Sequence, residues 1–570
     1  MDLKAQMGQF LAPEFTLAQL AEKLFQSETD PDRVVMRQWI YGEEETCREL
    51  TRAQVNNRIK VVAGRLQQVA EPGTRVAILA GNSPEYVFGF LGALYAGMVP
   101  IPLYDPNEPG HADHLKAVFG DCEPSIVVTN RVSAAAVRKY FSGQRERPRV
   151  ISLDALPDSL ASSWTPVEGA AGDTAFLQYT SGSTRTPAGV ELTNRAIITN
   201  VAQIFQALQL QMPARIVSWL PMHHDMGIIL AVFVTILGLD FEMMTPRDFI
   251  QHPDRWVRRL TAGEQATYSA IPNFALELAA RHAKDADFSR VAGIIIGSEP
   301  VTETAVDSFL RAFSVDRSVL RPSYGLAEAA LIVSTPQTEK RPVISHFNRV
   351  ELAAGRAVIE DKSDATVAYA SNGQCVPHQH LAIVDPETRA EVEDGVIGEI
   401  WVHGPNIASG YLNRPEETSA TFRNTLGVRQ QEDLPEDDYW MATGDLAAIV
   451  DGELYITGRL KDLLVIAGRN HYPQDIEGTV QAASAQVRPD SVAAFSVEGK
   501  DAETLVLLVE RADDAQPADD AEASEAIRTA VTSHHGITPD DIVWKAPGEI
   551  NRTSSGKIAR RVAKKNYVGI

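Results

Sequence analysis

Short apolar runs alternate with amphipathic stretches through the first half of the chain. RVAILAG (75–81) is a compact run, and Asn82-Ser83-Pro84-Glu85 follows it. Ser83 can cap a helix there and Pro84 can open it. That helix carries Tyr86, Phe88, Leu91 and Leu94 to a stop at Gly97. PSIVVT, RVISL, TAFLQYT, IVSWL (216–220) and AGIIIG (292–297) repeat the strand pattern with helical segments between them. Strands interleaved with helices predict parallel sheets covered by helices. From about residue 375 the texture turns β-rich, with LAIVD, GEIWVHG, LAAIV and ELYITG separated by turn residues. Beyond RLKDLLVIAGRNHYP (459–473) come short strands, an acidic linker DDAQPADDAEASE (513–525), a helix pattern and a basic tail, GKIARRVAKKNY. A boundary near Leu460 leaves a C-terminal unit of about 110 residues, an ordinary domain size.

Composition narrows the class. A chain of 570 residues exceeds one ordinary core, so two or more domains are expected. A hydrophobic content of 44% and a charged content of 22% fit a soluble globular protein. The net charge of −22 argues against a nucleic-acid partner, which calls for a basic face. Cys47, Cys122 and Cys375 match no metal or redox spacing, and a reducing cytoplasmic setting is the simplest expectation. The opening MDLKAQMGQFLAPEF lacks the pattern of a signal peptide. The apolar stretch from Met226 to Leu239 falls short of the roughly 20 residues a membrane span requires, so it reads as a buried helix.

The chemistry starts with TSGSTRTPAG (180–189), two glycines and five hydroxyl side chains around one cation, Arg185. Glycine amides and hydroxyls converging in one turn suit a polyphosphate. The run lacks the lysine of a Walker loop, and taken alone it is equally an ordinary turn. Further motifs follow in order: PMHHDMG (221–227), GSEPV (297–301), SYGLAE (323–328), TGD (443–445), GRLKD (458–462) and NRTSSGK (551–557). The set resembles the adenylate-forming superfamily of acyl-CoA synthetases and peptide-synthetase adenylation domains. Arg185 stands where acyl-CoA synthetases carry a glycine, and Ala188 where they carry a lysine. With HHDMG, SWLP, LQYTSGSTR, ERPRVI and RNHYPQDIE (469–477), this variant is similar to the fatty acyl-AMP ligases. It is similar in particular to the long-chain ligases that serve mycolic-acid synthesis.

The resemblance implies an α/β fold. A large N-terminal domain, 1–460, would combine helix-covered mixed and parallel sheets with a distorted β-barrel in the β-rich region 375–458. A small mobile α+β lid, 461–570, would turn at Lys461. An insertion at 339–373 would limit the rotation needed for coenzyme A use. The implied reaction joins a long-chain fatty acid to ATP with release of pyrophosphate, then passes the acyl group to the phosphopantetheine thiol of a polyketide-synthase carrier domain. Thr180, Ser181, Gly182, Ser183, Thr184 and Arg185 would hold the phosphates. Ser298, Glu299, Pro300, Ser323, Tyr324, Gly325 and Ala327 would form the adenine site, with Tyr324 stacking on the base. Asp445 would accept the ribose hydroxyls, and Arg459 would reach the sugar or the phosphates. Glu328 would hold magnesium, His224 would line the carboxylate end of the acyl pocket, and Lys557 would be the travelling cation between carboxylate and α-phosphate. Ala327 replaces a phosphate-binding threonine of many relatives, which removes one hydroxyl contact. Two rival functions stand beside this one. A long-chain acyl-CoA synthetase is opposed by Arg185, Ala188 and the 339–373 stretch. A nucleotide-binding protein without turnover is opposed by the retention of Lys557, Glu328 and Asp445.

Overall fold

A computed structural model describes residues 10–108, 112–144, 147–180, 187–283, 286–338, 341–430, 439–466, 468–498, 503–553 and 557–569. Two helix-covered sheets build the first half. The larger runs, edge to edge, Leu320–Pro322, Val291–Gly297, Ala266–Pro272, Ala214–Ser218, Asp240–Met243, Val34–Tyr41 and Glu45–Thr51. All neighbours are parallel except the last pair, which forms an antiparallel hairpin edge. The smaller, fully parallel sheet is Val99–Leu103, Arg75–Leu79, Ile126–Thr129 and Arg149–Ser152.

The helix expected after RVAILAG spans Pro84–Tyr95, with proline in its first turn and every residue buried. A helix apolar on all sides belongs between layers, and this one packs against the helices Arg52–Gln67 and Asp225–Ile236. Ser83 does not cap it with its side chain. Its hydroxyl donates to the Gly81 carbonyl at 3.1 Å and accepts from Asn130 at 3.2 Å. The 226–239 stretch lies largely within the helix Asp225–Ile236, buried over most of its length. Among the described residues no helix is long and apolar enough to cross a membrane.

The strand TAFLQY departs from the parallel pattern. Thr174–Tyr179 pairs antiparallel with Gly189–Thr193, so the polar run 180–188 is the connection of a hairpin. A two-residue strand, Gly410–Tyr411, adds to the other side of Gly189–Thr193. The β-rich region forms a five-stranded antiparallel sheet, Ala390–Glu391, His380–Asp385, Gly398–His403, Met441–Val450 and Glu453–Arg459. Among the described residues the edges of this sheet do not pair with each other.

Within 339–373, Ile344–Asn348 and Thr366–Ala370 make an antiparallel hairpin with the short helix Arg349–Ala353 between them. Phe347 and Leu352 join one apolar cluster with Leu446, Tyr455 and Tyr472, which seats the hairpin on the β-rich sheet and on the start of the C-terminal unit. That unit is a three-stranded sheet, Val487–Glu498, Glu503–Arg511 and Pro539–Lys545, flanked by the helices Pro473–Ala483, Asp520–His535 and Arg560–Val568. The acidic stretch 513–525 is therefore not a linker. Its second half is the first turn of a helix, where carboxylates favour the dipole. Both oxygens of Asp520 accept from Arg511 Nε at 3.0 Å.

Candidate active site

An apolar cavity, open at its mouth, runs between the helices Asn194–Leu208 and Asp225–Ile236 and the large sheet. Phe205, Ile216, Ile229, Phe233, Leu237 and Tyr268 line its depth. The mouth is polar, formed by Asp225, Gly297, Ser298, Ser323, Tyr324 and Gly325. Residues from three separate sequence motifs thus meet at one opening. Gly325 is demanded by the backbone, because a Cβ there would stand 1.7 Å from the Leu331 carbonyl oxygen. Ser298 holds a left-handed φ of 69° at the end of its strand, a conformation costly for a non-glycine residue and common at ligand sites.

The polar groups order one another. The Tyr324 hydroxyl donates to Asp445 Oδ2 at 2.7 Å, and Arg459 Nε donates to Oδ1 at 3.1 Å. Burial and the neighbouring Asp445 carboxylate push the Tyr324 phenol well up, so it remains a neutral donor. The Asp445 carboxylate holds the Arg459 guanidinium above its ordinary range. Each Asp445 oxygen keeps a further lone pair for a ligand hydroxyl. Glu299 does not present a free edge: Oε1 accepts the Phe274 N–H at 2.8 Å, orienting the start of the helix Phe274–His282. Pro300 is exposed on the following loop, and Ala327 is buried at the head of the turn Ala327–Ala329. The Ser323 hydroxyl is engaged with Thr335 Oγ1 at 2.8 Å. Glu328 is half-buried, with Oε1 accepting the Tyr411 hydroxyl at 2.8 Å.

Lys557, on the C-terminal unit, is electrostatically coupled to residues at this mouth. The turn that carries it is closed by Thr553 N–H to the Lys557 carbonyl at 2.7 Å and by Lys557 N–H to Thr553 Oγ1 at 3.1 Å. Lys557 remains open to solvent as a residue, yet its ammonium lies within electrostatic reach of Glu299, Asp445, Asp225 and Arg459. Crowding in the cleft, then the Arg459 charge, lower it from the ordinary lysine range, and the three carboxylates oppose that drop. Burial raises the carboxyl of Asp225, against the Met226 N–H and the Lys557 charge. Arg560 secures the turn's far side, with Nε 2.6 Å from Glu477 Oε1.

A family model described as AMP-binding enzyme matches residues 25–412. A second, described as the AMP domain of Disco-interacting protein 2-like proteins, matches 461–569. The long-chain-fatty-acid–AMP ligase FadD32 of Mycolicibacterium smegmatis is 43% identical over 91% of this chain and 89% of its own length. The chain is a member of the fatty acid–AMP ligase family. The long-chain-fatty-acid–AMP ligase FadD26 of Mycobacterium marinum is 37% identical over 91% of both chains. A solved structure from the fatty acyl-adenylate ligases of E. coli and L. pneumophila superposes with a TM-score of 0.83, at 29% identity and 97% coverage of both chains. The L. pneumophila ligase in complex with acyl adenylate and pyrophosphate gives 0.72, at 28% identity, over 97% of this chain and 96% of that one.

In this fatty acid–AMP ligase, Ser298, Ser323, Tyr324, Gly325, Asp445, Arg459 and Lys557 converge on one cleft. Thr180 sits at the base of its turn, its N–H donating to the Ala188 carbonyl at 3.2 Å; Ser181, Gly182, Ser183, Thr184 and Arg185 lie outside the described residues. His224 stands at the N-terminus of the helix Asp225–Ile236, its ring 4.6 Å from that of His223, while Asp225 and Met226 form the cavity wall. Asp225 and Tyr411 are site residues that reading the sequence missed. Asp225 was legible as the aspartate of HHDMG; the pairing of Tyr411 with Glu328, 83 positions away, had no local signal.

Proposed function

We propose that the protein activates long-chain fatty acids with ATP and hands the acyl group to a carrier-domain thiol of a polyketide synthase, as the names of its ligase relatives suggest for the first step. The observation that carries this reading is the polar mouth of the apolar cavity, where Tyr324 donates to Asp445 and the charges of Asp225, Glu299, Asp445 and Arg459 act on the Lys557 ammonium of the C-terminal unit. A fatty carboxylate oxygen attacks the α-phosphorus, the bond to the bridging oxygen breaks, and pyrophosphate leaves. Both reactants are anions, so the barrier is largely one of bringing like charges together; fixed positive charge and positioning lower it. Lys557 would offset carboxylate and α-phosphate charge at once. In the second step the thiol sulfur attacks the acyl carbonyl, the bond to AMP breaks, and the thiol proton leaves to solvent.

Tyr324 offers its ring to adenine, and Asp445 with Arg459 offers acceptor and donor groups to the ribose. The cavity is lined along its length by apolar side chains such as Phe205, Ile229, Phe233 and Leu237, which suits an acyl chain. Magnesium fits Glu328, a hard oxygen donor on the turn next to the hairpin that carries 180–188. No group of three or more carboxylate, histidine or cysteine residues suited to a metal occurs among the described residues. The ion would thus be held largely by substrate phosphates, as magnesium commonly is; bound there it would neutralise phosphate charge. Residues 461–569 act as the lid, and the 344–370 hairpin restrains its rotation through Arg349 and Asp475.

Mass spectrometry of reactions with ATP, magnesium and fatty acids of graded length, with coenzyme A or a phosphopantetheinylated carrier domain, tests the assignment. Acyl-adenylate and acyl-carrier are the expected products. Acyl-CoA as the main product would transfer the assignment to the acyl-CoA synthetase reading.

A further inference from the structure

The segment Ala408–Arg414 touches two parts of the site at once. At one end, the Ala408 N–H donates to the Glu328 carbonyl at 2.9 Å and the Tyr411 hydroxyl to Glu328 Oε1 at 2.8 Å. At the other, Gly410 and Tyr411 pair with Glu191 and Val190 on the strand leaving the polar turn. The Leu412 N–H then bonds the Gly189 carbonyl at 2.8 Å. Arg414 goes one step further back, with Nη2 donating to the Pro187 carbonyl at 2.7 Å and Nη1 paired with Glu417 at 3.0 Å. The segment is itself anchored. The Tyr411 ring is buried edge-on to Phe422, centroids 5.2 Å apart, and its N–H donates to Thr418 Oγ1 at 2.9 Å.

We propose that Ala408–Arg414 is a positioning strap in which Tyr411 fixes the Glu328 carboxylate and Arg414 fixes the exit of the phosphate turn, so that both address one metal–triphosphate. The proposal rests on the assignment of Glu328 to magnesium. Packing accounts for the ring of Tyr411, since phenylalanine would fill the same space against Phe422. The hydroxyl does something packing does not require, because its hydrogen bond favours one orientation of the Glu328 carboxylate. Partners that orient a metal-binding carboxylate in this way typically alter metal affinity by about 10–100-fold when removed.

The test is a titration of Mn²⁺ into the full-length protein with α,β-methylene-ATP, reading free Mn²⁺ by electron paramagnetic resonance. Tyr411→Phe is expected to weaken Mn²⁺ binding roughly tenfold with little change in thermal midpoint. Glu328→Gln should weaken it at least as much, and the double variant no further than Glu328→Gln alone. In turnover, Tyr411→Phe should raise the magnesium concentration for half-maximal rate while kcat at saturating metal falls less than about threefold. Arg414→Met should raise the Kd of α,β-methylene-ATP severalfold. Wild-type Mn²⁺ affinity in Tyr411→Phe, with Glu328→Gln impaired, overturns the strap and leaves the magnesium assignment standing. Wild-type affinity in Glu328→Gln overturns the assignment and the strap together.

Discussion

Replacing Arg349 with methionine should release the C-terminal unit. Arg349, in the 344–370 hairpin, grips Asp475 bidentately, with Nε 3.0 Å from Oδ2 and Nη2 3.0 Å from Oδ1. Their side chains are 17% and 10% exposed, so the pair is nearly desolvated. Stranding one partner of a fully buried pair costs about 3–5 kcal/mol; with this residual exposure, and with His535 Nδ1 still 3.7 Å from Asp475, about 2 kcal/mol is the better figure. The cost falls on the docked orientation, in which Asp475 would lose Arg349 while its side chain stays 10% exposed. The docked-to-rotated ratio should therefore drop by roughly 30-fold. The assay compares initial rates of acyl-CoA and acyl-adenylate formation with saturating coenzyme A. Acyl-CoA formation should rise by about tenfold or more, while adenylate formation stays within about threefold. An independent readout confirms that the clasp is broken: burial, and after it the Arg349 charge, hold His535 down at about 4, so the imidazole should titrate higher in the variant by NMR. A raised His535 pKa with unchanged acyl-CoA formation would refute restraint by this clasp.

Lys557→Ala should cut acyl-adenylate formation by about 10²–10³ while leaving ATP affinity by calorimetry within about threefold; unimpaired acyl-AMP synthesis would remove the role assigned to that ammonium. Gly325→Ala, which forces a Cβ to within 1.7 Å of the Leu331 oxygen, should destabilise by about 3 kcal/mol or more, read as a lower urea midpoint. His535 is lowered to about 4, chiefly by burial and despite Asp475, among Arg349, His471, His534 and Thr479. Its unfolded value is about 6.5, so the unfolded chain binds more protons between those two values and stability falls as pH drops through that window, by about 2 kcal/mol from pH 7 to pH 5. His535→Gln should flatten the difference between urea unfolding curves at the two pH values, and an unaltered difference would assign the pH response elsewhere.

The fold was legible wherever a run of apolar residues met a chain breaker. RVAILAG ending at the Ser83-Pro84 helix start is the clearest instance, because both cues are local. TAFLQY misled on direction, since a buried strand reads alike in parallel and antiparallel surroundings, and only its neighbour Gly189–Thr193 decides. The acidic 513–525 stretch misled for another reason: charge suggested solvation, while the helix that begins at Asp520 is held by Arg511 and by its buried Ala523, Ile527 and Val531. In the site, motif residues were legible where the close approach of one backbone segment to another restricts the residue type, as at Gly325 against the Leu331 carbonyl. Partners were not legible. Tyr324 and Asp445 are 121 positions apart and Arg349 and Asp475 are 126 apart, and no local pattern encodes such a meeting.

The charges of the cleft give the proposed rotation of the C-terminal unit a second consequence. Asp225, Glu299 and Asp445 face Lys557 and Arg459 across the mouth, in a chain whose net charge is −22. With Lys557 docked, the ammonium offsets the wall's carboxylates, and a fatty carboxylate and a triphosphate can approach each other there. With Lys557 withdrawn, the same carboxylates lose that compensation, and burial strengthens their repulsion of anions. Pyrophosphate, the most highly charged product, is disfavoured most; the acyl-adenylate, with one phosphate charge and an apolar chain in the cavity, is disfavoured least. Rotation of the C-terminal unit would thereby both expose the acyl carbonyl and bias the site toward the order of events that carrier transfer requires: pyrophosphate out first, adenylate retained.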